Sequence, residues 1–118
     1  LVAVAQDAHM NEVYLGLYAR DKDNLPRLIA SEYLQGQSVI KLLSTRDQMF
    51  IIAGQGWRCY PELTAINAQW IGGQSKVLYP RAAWLLTLAD IANAIKPKDV
   101  EPAYLRKKVA ELPRARKV

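Results

Sequence analysis

The sequence has very few of the side chains that usually build reactive centres, with one cysteine and one histidine in 118 residues. A single cysteine, Cys59, forms no internal disulfide, which fits a reducing compartment and predicts a cytoplasmic protein. Zinc and iron sites need several imidazole, thiolate or carboxylate ligands, so His9 and Cys59 alone predict no metal site in this chain. Cys59 also has no histidine near it in sequence, which favours a packed residue over a nucleophile.

Long apolar runs are missing as well. No run approaches the roughly 18 residues of a membrane-spanning helix, and no basic segment followed by an apolar one indicates a signal peptide. A hydrophobic content of 51% with 23% charged residues is typical of a globular domain with a core. Leu1 is not a methionine and already lies in an apolar segment, so we expect this chain to be part of a longer one.

Two β-rich segments flank a polar turn near the start. Leu1–Gln6, which is apolar through Ala5, predicts a central strand buried on both faces, and Glu12–Arg20 alternates like a second strand. After the polar turn 21–24, Pro26 can open a third strand, Arg27–Leu34. The three strands predict an antiparallel meander.

Helices and strands then alternate. The predicted elements are a helix Val39–Leu43 capped by Ser38, a strand Met49–Ala53, a helix from Pro61 to Ile71 ended by Gly72 and Gly73, a strand Lys76–Tyr79, and a helix Arg81–Ile95 with an apolar stripe. The fold class is therefore α/β: a mixed sheet in which a three-strand antiparallel meander is followed by alternating helices and strands.

Two loops are candidates for phosphate binding. Asp7 lies where the first strand ends, a common ligand position in open α/β sheets, so it is a weak cofactor-binding candidate. The turn after it has no glycine, so the sequence favours a turn-capping role. Gly54 and Gly56 lack the third glycine of a dinucleotide loop, which favours a tight turn that lets Trp57 and Tyr60 pack. No catalytic residue is predicted.

Aromatic and basic residues raise the question of RNA binding. Trp57, Trp70, Trp84, Tyr14 and Tyr18 could stack on bases, but their helix and strand positions favour core packing. From Arg106 onward, six basic residues stand against one acid, and this tail accounts for the formal net charge of +5. Arg106, Lys107 and Lys108 are therefore candidates for contact with tRNA or a partner, whereas the tail as a whole fits a solvated C-terminus.

Three segments resemble one family. Residues 7–14 resemble its Asp-Ala-Arg-Met-Gly-Glu-Val-Tyr pattern, residues 54–57 and 60–63 its glycine–tryptophan segment, and residues 101–106 its Pro-x-Tyr-Leu-Arg signature. The family is the bacterial tRNA threonylcarbamoyladenosine biosynthesis protein TsaB, also called YeaZ. The motif positions matched are Asp7, Glu12, Tyr14, Gly54, Gly56, Trp57, Pro61, Pro102, Tyr104, Leu105 and Arg106.

The resemblance implies a ribonuclease-H-like or actin-like ATPase (ASKHA) subdomain. Residues 1–105 would be the C-terminal subdomain and 106–118 a basic tail, with the N-terminal subdomain outside this chain. The implied role is a non-catalytic scaffold in tRNA threonylcarbamoyladenosine modification, pairing with the transferase TsaD and acting with TsaE. ATP and metal would bind those partners, tRNA would be reached through the complex, and a homodimer through the missing half is the alternative pairing.

Two differences from the family pattern and two rival functions stay open. His9 stands where the family has arginine, so an anion contact made by that arginine is not expected here. Asn11 replaces glycine but tolerates a left-handed backbone. The rivals are an enzyme, a glycoprotease-like metallopeptidase or ATPase homologue, and a stand-alone tRNA-binding module. Tyr104, Leu105 and Arg106 are expected to dock the C-terminal segment on the sheet.

Overall fold

A five-stranded mixed sheet is the centre of the structure. The computed structural model describes residues 1–35, 48–90 and 94–104, and the side chains of 30–35 are left aside. The strands are β1 Val2–Asp7, β2 Val13–Arg20, β3 Pro26–Gln35, β4 Phe50–Ala53 and β5 Ile71–Gln74; the helices are α1 Gly56–Cys59, α2 Pro61–Ile66 and α3 Ala82–Ala89, with 3-10 turns at Ala68–Trp70 and Pro97–Asp99.

The strand order is β3-β2-β1-β4-β5, which puts β1 in the middle. β1 and β2 pair antiparallel, as do β2 and β3, whereas β4 runs parallel to both β1 and β5. Ala3 has Leu17 beside it on one side and Ile52 on the other. The predicted mixed α/β class is confirmed.

The core lies on one face of this sheet. Alternate residues of the three central strands point to it and meet side chains of α1 and α2. Its buried members are Ala3, Ala5, Val13, Leu15, Leu17, Phe50, Ile52, Trp57 and Leu63. The prediction that β1 is buried on both faces is wrong, because Val2 is 37% exposed and Val4 is only half-buried. The described helices α1 and α2 cover the Ala3 and Ala5 face, and the opposite face opens into a groove.

The segment after Pro61 differs from the prediction. Pro61 does open α2, but the helix ends at Ile66 because fully buried Asn67 turns its side-chain amide back to the carbonyl of Leu63, at 2.9 Å. Gly72 and Gly73 do not end a helix; they lie in β5, where backbone pairing with β4 overrides their low strand propensity.

The predicted strand at residues 76–79 is also wrong. Instead, the carbonyls of Val77 and Leu78 accept hydrogen bonds from the N–H groups of Gly54 and Gln55, at 2.9 and 3.1 Å. These bonds fasten an irregular segment beside the end of β4. The edge of β4 is already paired with β5, which begins five residues before the predicted strand.

The last predicted helix is shorter than expected. α3 ends at Ala89, and residues 94–96 are not helical, whereas 91–93 and the predicted helix Val39–Leu43 lie outside the described residues. No residue of α3 is buried, so packing gives little support for a longer helix. Across the described ranges, no helix has the length and apolarity needed to cross a membrane.

Candidate functional site

Asp7 sits at the end of β1 and orders the turn into β2. Its Oδ1 accepts the backbone N–H of His9 at 2.9 Å and the hydroxyl of Tyr60 at 2.7 Å. Its Oδ2 lies 3.4 Å from Nδ1 of His9. The carboxylate is thus engaged by the protein itself, and the hydrogen bond to the His9 N–H agrees with the turn-capping interpretation.

Tyr60, the first residue after α1, joins that helix to this turn. Its hydroxyl also lies 2.9 Å from the carbonyl oxygen of Glu12, so it touches both sides of the turn. Burial, followed by the neighbouring Asp7 carboxylate, raises the pKa of Tyr60 to about 12. In return, the Tyr60 hydroxyl, and after it the His9 N–H, lowers the pKa of Asp7. Both shifts favour a neutral phenol donating to a charged carboxylate.

The tip of the turn has an unusual backbone. His9, Met10 and Asn11 all have left-handed φ angles, of 60°, 52° and 60°. The N–H of Glu12 closes the turn on the His9 carbonyl at 3.0 Å. Asn11 was expected to tolerate this conformation, whereas His9 and Met10 each strain the backbone by about 1–2 kcal/mol. The contacts of Asp7 and Tyr60 hold the strained turn in place.

The glycine loop between β4 and α1 lies directly against β1. Gly54 has a φ of 91°, and a Cβ there would collide with the carbonyl oxygen of Ala5. A Cβ on Gly56 would lie 2.7 Å from the Ala5 carbonyl carbon. The close approach that these glycines permit is therefore to the protein's own backbone, as the tight-turn interpretation requires.

Trp57 completes the junction from the other side. It is 4% exposed, its indole Nε1 donates to the Ala3 carbonyl at 3.0 Å, and its ring lies 6.2 Å from that of Phe50. Asp7, Tyr60, Gly54, Gly56 and Trp57 thus bind the β4–α1 connection to the end of β1. We call these five residues the hairpin clamp.

The other aromatic residues divide between core and surface. Trp70 and Tyr18 are partly buried, as the packing interpretation expects. The same interpretation is wrong for Tyr14 and Trp84, which are 41% and 64% exposed. Tyr14 faces away from the core on β2, and Trp84 belongs to a helix without buried residues.

The remaining predicted motif residues do not join the clamp. Cys59 is exposed, so its predicted packing is wrong; it follows Trp57 on the outer side of α1. The whole stretch 94–104 is exposed, including Pro102. Tyr104 is 82% exposed, so its predicted docking on the sheet is wrong. Leu105, Arg106, Lys107 and Lys108 lie outside the described residues.

The donor set around His9 does not suit a metal. Within the described ranges no three histidine, cysteine or carboxylate side chains converge. The His9 side chain is 86% exposed, and its acidic neighbour is Asp7. What this arrangement can do chemically is to fix a turn and hold a proton on Tyr60.

The Tyr60–Asp7 bond gives a pH-dependent prediction. Tyr60→Phe should destabilise the protein by roughly 1–2 kcal/mol at pH 7, because a carboxylate loses its hydroxyl donor. The wild-type bond contributes above the unfolded pKa of Asp7, near 4, and weakens as pH falls through its lowered folded pKa. The raised pKa of Tyr60 contributes below about pH 10 and is lost as pH rises towards about 12.

Urea unfolding from pH 3 to pH 11 measures this effect. The stability difference between Tyr60→Phe and wild type should be largest between about pH 5 and pH 9 and shrink at both ends. Tyr79→Phe, at a tyrosine that is 62% exposed, is the matched control and should change little. A constant difference at all pH values would contradict the assigned bond.

Comparison with known proteins shows similarity to solved structures of YeaZ and of a protein similar to YeaZ. No protein-family model matches the chain, and no curated protein does. Among solved structures, it is similar to "an uncharacterized protein with similarity to peptidase YEAZ from Pseudomonas aeruginosa", with 28% identity and a TM-score of 0.69 over 89% of this chain and 49% of that one. It is also similar to YeaZ from Pseudomonas aeruginosa, with 30% identity and a TM-score of 0.58 over 76% of this chain and 40% of that one.

The fold and these neighbours together define the fold class of the chain. The chain is a mixed α/β protein whose neighbours fit an actin-like or ribonuclease-H-like fold. Within that class, the chain is similar to YeaZ. The chain spans about half or less of the length of the two structures that it matches.

Proposed function

We propose that this chain is the C-terminal subdomain of a non-catalytic scaffold subunit in tRNA threonylcarbamoyladenosine modification. The scaffold pairs with TsaD and supports that transferase, with TsaE as the ATPase of the assembly. The proposal rests on the YeaZ likeness together with the state of the hairpin clamp. ATP and catalytic metal are assigned to the partners, and tRNA is reached through the complex.

The hairpin clamp is the observation that favours a scaffold over an ATPase. A phosphate-binding hairpin needs backbone N–H groups that a phosphate can approach. Here the Asp7 carboxylate already accepts two hydrogen bonds from the protein, and the Gly54 and Gly56 backbone is pressed against Ala5. These contacts support a structural role for the turn.

The rival enzyme class has less support. One structural neighbour has similarity to a peptidase, YEAZ. A metallopeptidase centre of the zinc type needs about three protein ligands. The single histidine of the sequence, His9, is 86% exposed at the strained turn, with Asp7 as its acidic neighbour. Among the described residues, this donor set does not suit a metallopeptidase centre.

The RNA-binding alternative depends on the tail. Arg106, Lys107 and Lys108 would contact the tRNA backbone, and their replacement by alanine would lower both the affinity and its salt dependence. These residues lie outside the described ranges, so the alternative rests on their charge alone. We therefore rank it below the scaffold.

The direct test is a co-purification. Tagged full-length protein, comprising this chain and whatever sequence accompanies it in the encoded polypeptide, should retain TsaD from the same organism on a column. Cys59→Ser serves as the matched control, because Cys59 is exposed and makes no contribution to the clamp, and it should retain equal amounts. Full-length protein that is folded but never retains TsaD would contradict the scaffold role.

A further inference from the structure

The irregular segment before α3 carries an aromatic ring between two cations. Tyr79 is 62% exposed, and Lys76 and Arg81 on either side of it in the sequence are exposed as well. Neither cation has a salt-bridge partner among the residues that the structure describes. Between Glu62 and Asp90 the sequence contains no acidic residue, so the charge of this stretch is positive. We call Lys76, Tyr79 and Arg81 the Tyr79 strip.

Hydrogen bonds hold the middle of the segment in place. The carbonyls of Val77 and Leu78 accept backbone N–H groups of the glycine loop after β4. Tyr79 precedes Pro80, which favours an extended backbone at Tyr79, and Arg81 is extended with φ −125° and ψ 135°. The Cα atoms of Tyr79 and Arg81 are therefore at most about 7 Å apart. A segment fixed in this way loses less entropy when it binds a ligand.

We propose that the Tyr79 strip binds single-stranded RNA. The Tyr79 ring stacks on an unpaired base, while Lys76 and Arg81 contact the phosphates that flank it. Stacking of this kind tolerates any base, because every base has a flat face, and the cations neutralise the backbone. Bases inside a duplex are already stacked on their neighbours, so the strip favours single strands. This contact goes beyond the scaffold role and does not depend on it.

The composition of the segment favours nucleic acid over other acidic partners. An acidic peptide would pair with the two cations but would leave the exposed ring between them without a partner. Peripheral membrane binding commonly uses an amphipathic helix, and residues 75–81 are not helical. Unpaired nucleotides supply both a flat face for the ring and an anion for each cation.

Fluorescence anisotropy of the encoded full-length polypeptide with a labelled, unstructured RNA of about ten nucleotides tests the proposal. Every protein in the series carries alanine at positions 106–108, which removes the competing basic residues of the tail. Tyr79→Ala should weaken binding at least fivefold at low salt, because one stacked base is lost. Tyr79→Phe keeps the ring and should bind as tightly as the parent. A duplex RNA of the same length should bind more weakly.

A second comparison tests the phosphate contacts. Each contact with a single-stranded phosphate contributes about 0.7 to the slope of log affinity against log salt, so the double variant Lys76→Ala, Arg81→Ala should lower this slope by about 1.4. Lys22→Ala with Arg27→Ala is the matched control, because these exposed cations flank the β2–β3 turn at the opposite edge of the sheet. The control pair should leave the slope unchanged.

Several outcomes would overturn the proposal. They are no RNA binding at low salt, equal losses in the strip and control variants, and duplex RNA bound as tightly as the single strand. Vesicles with anionic headgroups are the further probe: binding to them that needs Tyr79, without RNA binding, would assign the strip to a membrane surface and overturn the RNA site. Tyr79→Ala should retain TsaD as wild type does, so the RNA site and the scaffold role fail separately.

Discussion

Gly54→Ala is expected to destabilise the protein by roughly 2–5 kcal/mol, combining an overpacking cost with a left-handed backbone that alanine tolerates poorly. A methyl group at this position meets the Ala5 carbonyl oxygen, which belongs to the central strand and cannot move without disturbing both neighbouring strands. The Gly54 φ of 91° adds strain that no side-chain rearrangement can relieve. The measurement is the urea midpoint and slope of the full-length protein.

Gly73→Ala is the matched control for this change. Gly73 lies in β5, and a Cβ there would meet nothing closer than Cγ1 of Ile51 at 4.0 Å. Its φ is not in the left-handed range. We expect a change within about 1 kcal/mol, since alanine at a compatible site mainly restricts the unfolded chain. Equal losses at the two glycines would show that the contact of Gly54 with β1 does not limit stability.

Trp57→Ala is expected to cost roughly 3–5 kcal/mol, as large-to-small changes of buried aromatic residues do. The indole is 4% exposed, touches the ring of Phe50, and satisfies the Ala3 carbonyl through its Nε1. Its loss would open a cavity against β1 and remove one of the contacts that hold α1 to the sheet.

Trp57→Phe separates the hydrogen bond from the packing. Phenylalanine keeps a ring but loses the donor to Ala3, so we expect an intermediate loss of about 1–3 kcal/mol. Tyr104→Ala is the control, because this side chain is 82% exposed, and it should change stability by less than about 0.5 kcal/mol. Circular dichroism during thermal unfolding follows all three variants without relying on tryptophan emission. A loss at Trp57 no greater than at Tyr104 would contradict its place in the core.

The local pattern of the sequence predicted the first half of the sheet well. Alternation in residues 13–18 and the apolar run before Asp7 are local signals, and the observed β1, β2 and β3 start and end within one residue of the predicted bounds. The error lay in burial, because an apolar run alone does not say whether a second layer covers the strand. Val2 and Val4 instead line the groove on the face of the sheet opposite the core.

The second half depended on contacts between distant residues. β5 contains two glycines and exists because β4 offers an open edge, so no propensity could find it. Asn67 ends α2 through a buried hydrogen bond that depends on tertiary packing. The apolar pattern of residues 76–79 resembles that of a strand. The structure has no strand there, because the carbonyls of Val77 and Leu78 accept hydrogen bonds from the N–H groups of Gly54 and Gln55.

The candidate site was partly predictable. The missing glycines in the turn after Asp7 and the spacing of Gly54 and Gly56 pointed to a structural role, and the contacts agree. The bond between Asp7 and Tyr60 joins residues 53 positions apart, so only the fold could reveal it. Three successive left-handed residues also exceed what single-residue preferences predict, because His9 and Met10 adopt this conformation under tertiary constraint.

The central claim is that the protein supports tRNA modification without chemistry at the β1–β2 turn. Mass spectrometry of threonylcarbamoyladenosine in bulk tRNA, from cells whose own copy is depleted, tests it with full-length Asp7→Asn. Asparagine can still accept the His9 and Tyr60 hydrogen bonds but cannot act as a catalytic or metal-binding carboxylate. We predict modification at the wild-type level when the variant is as abundant as wild type. Loss of the modification with abundant Asp7→Asn protein, or full modification without any copy, would contradict the account.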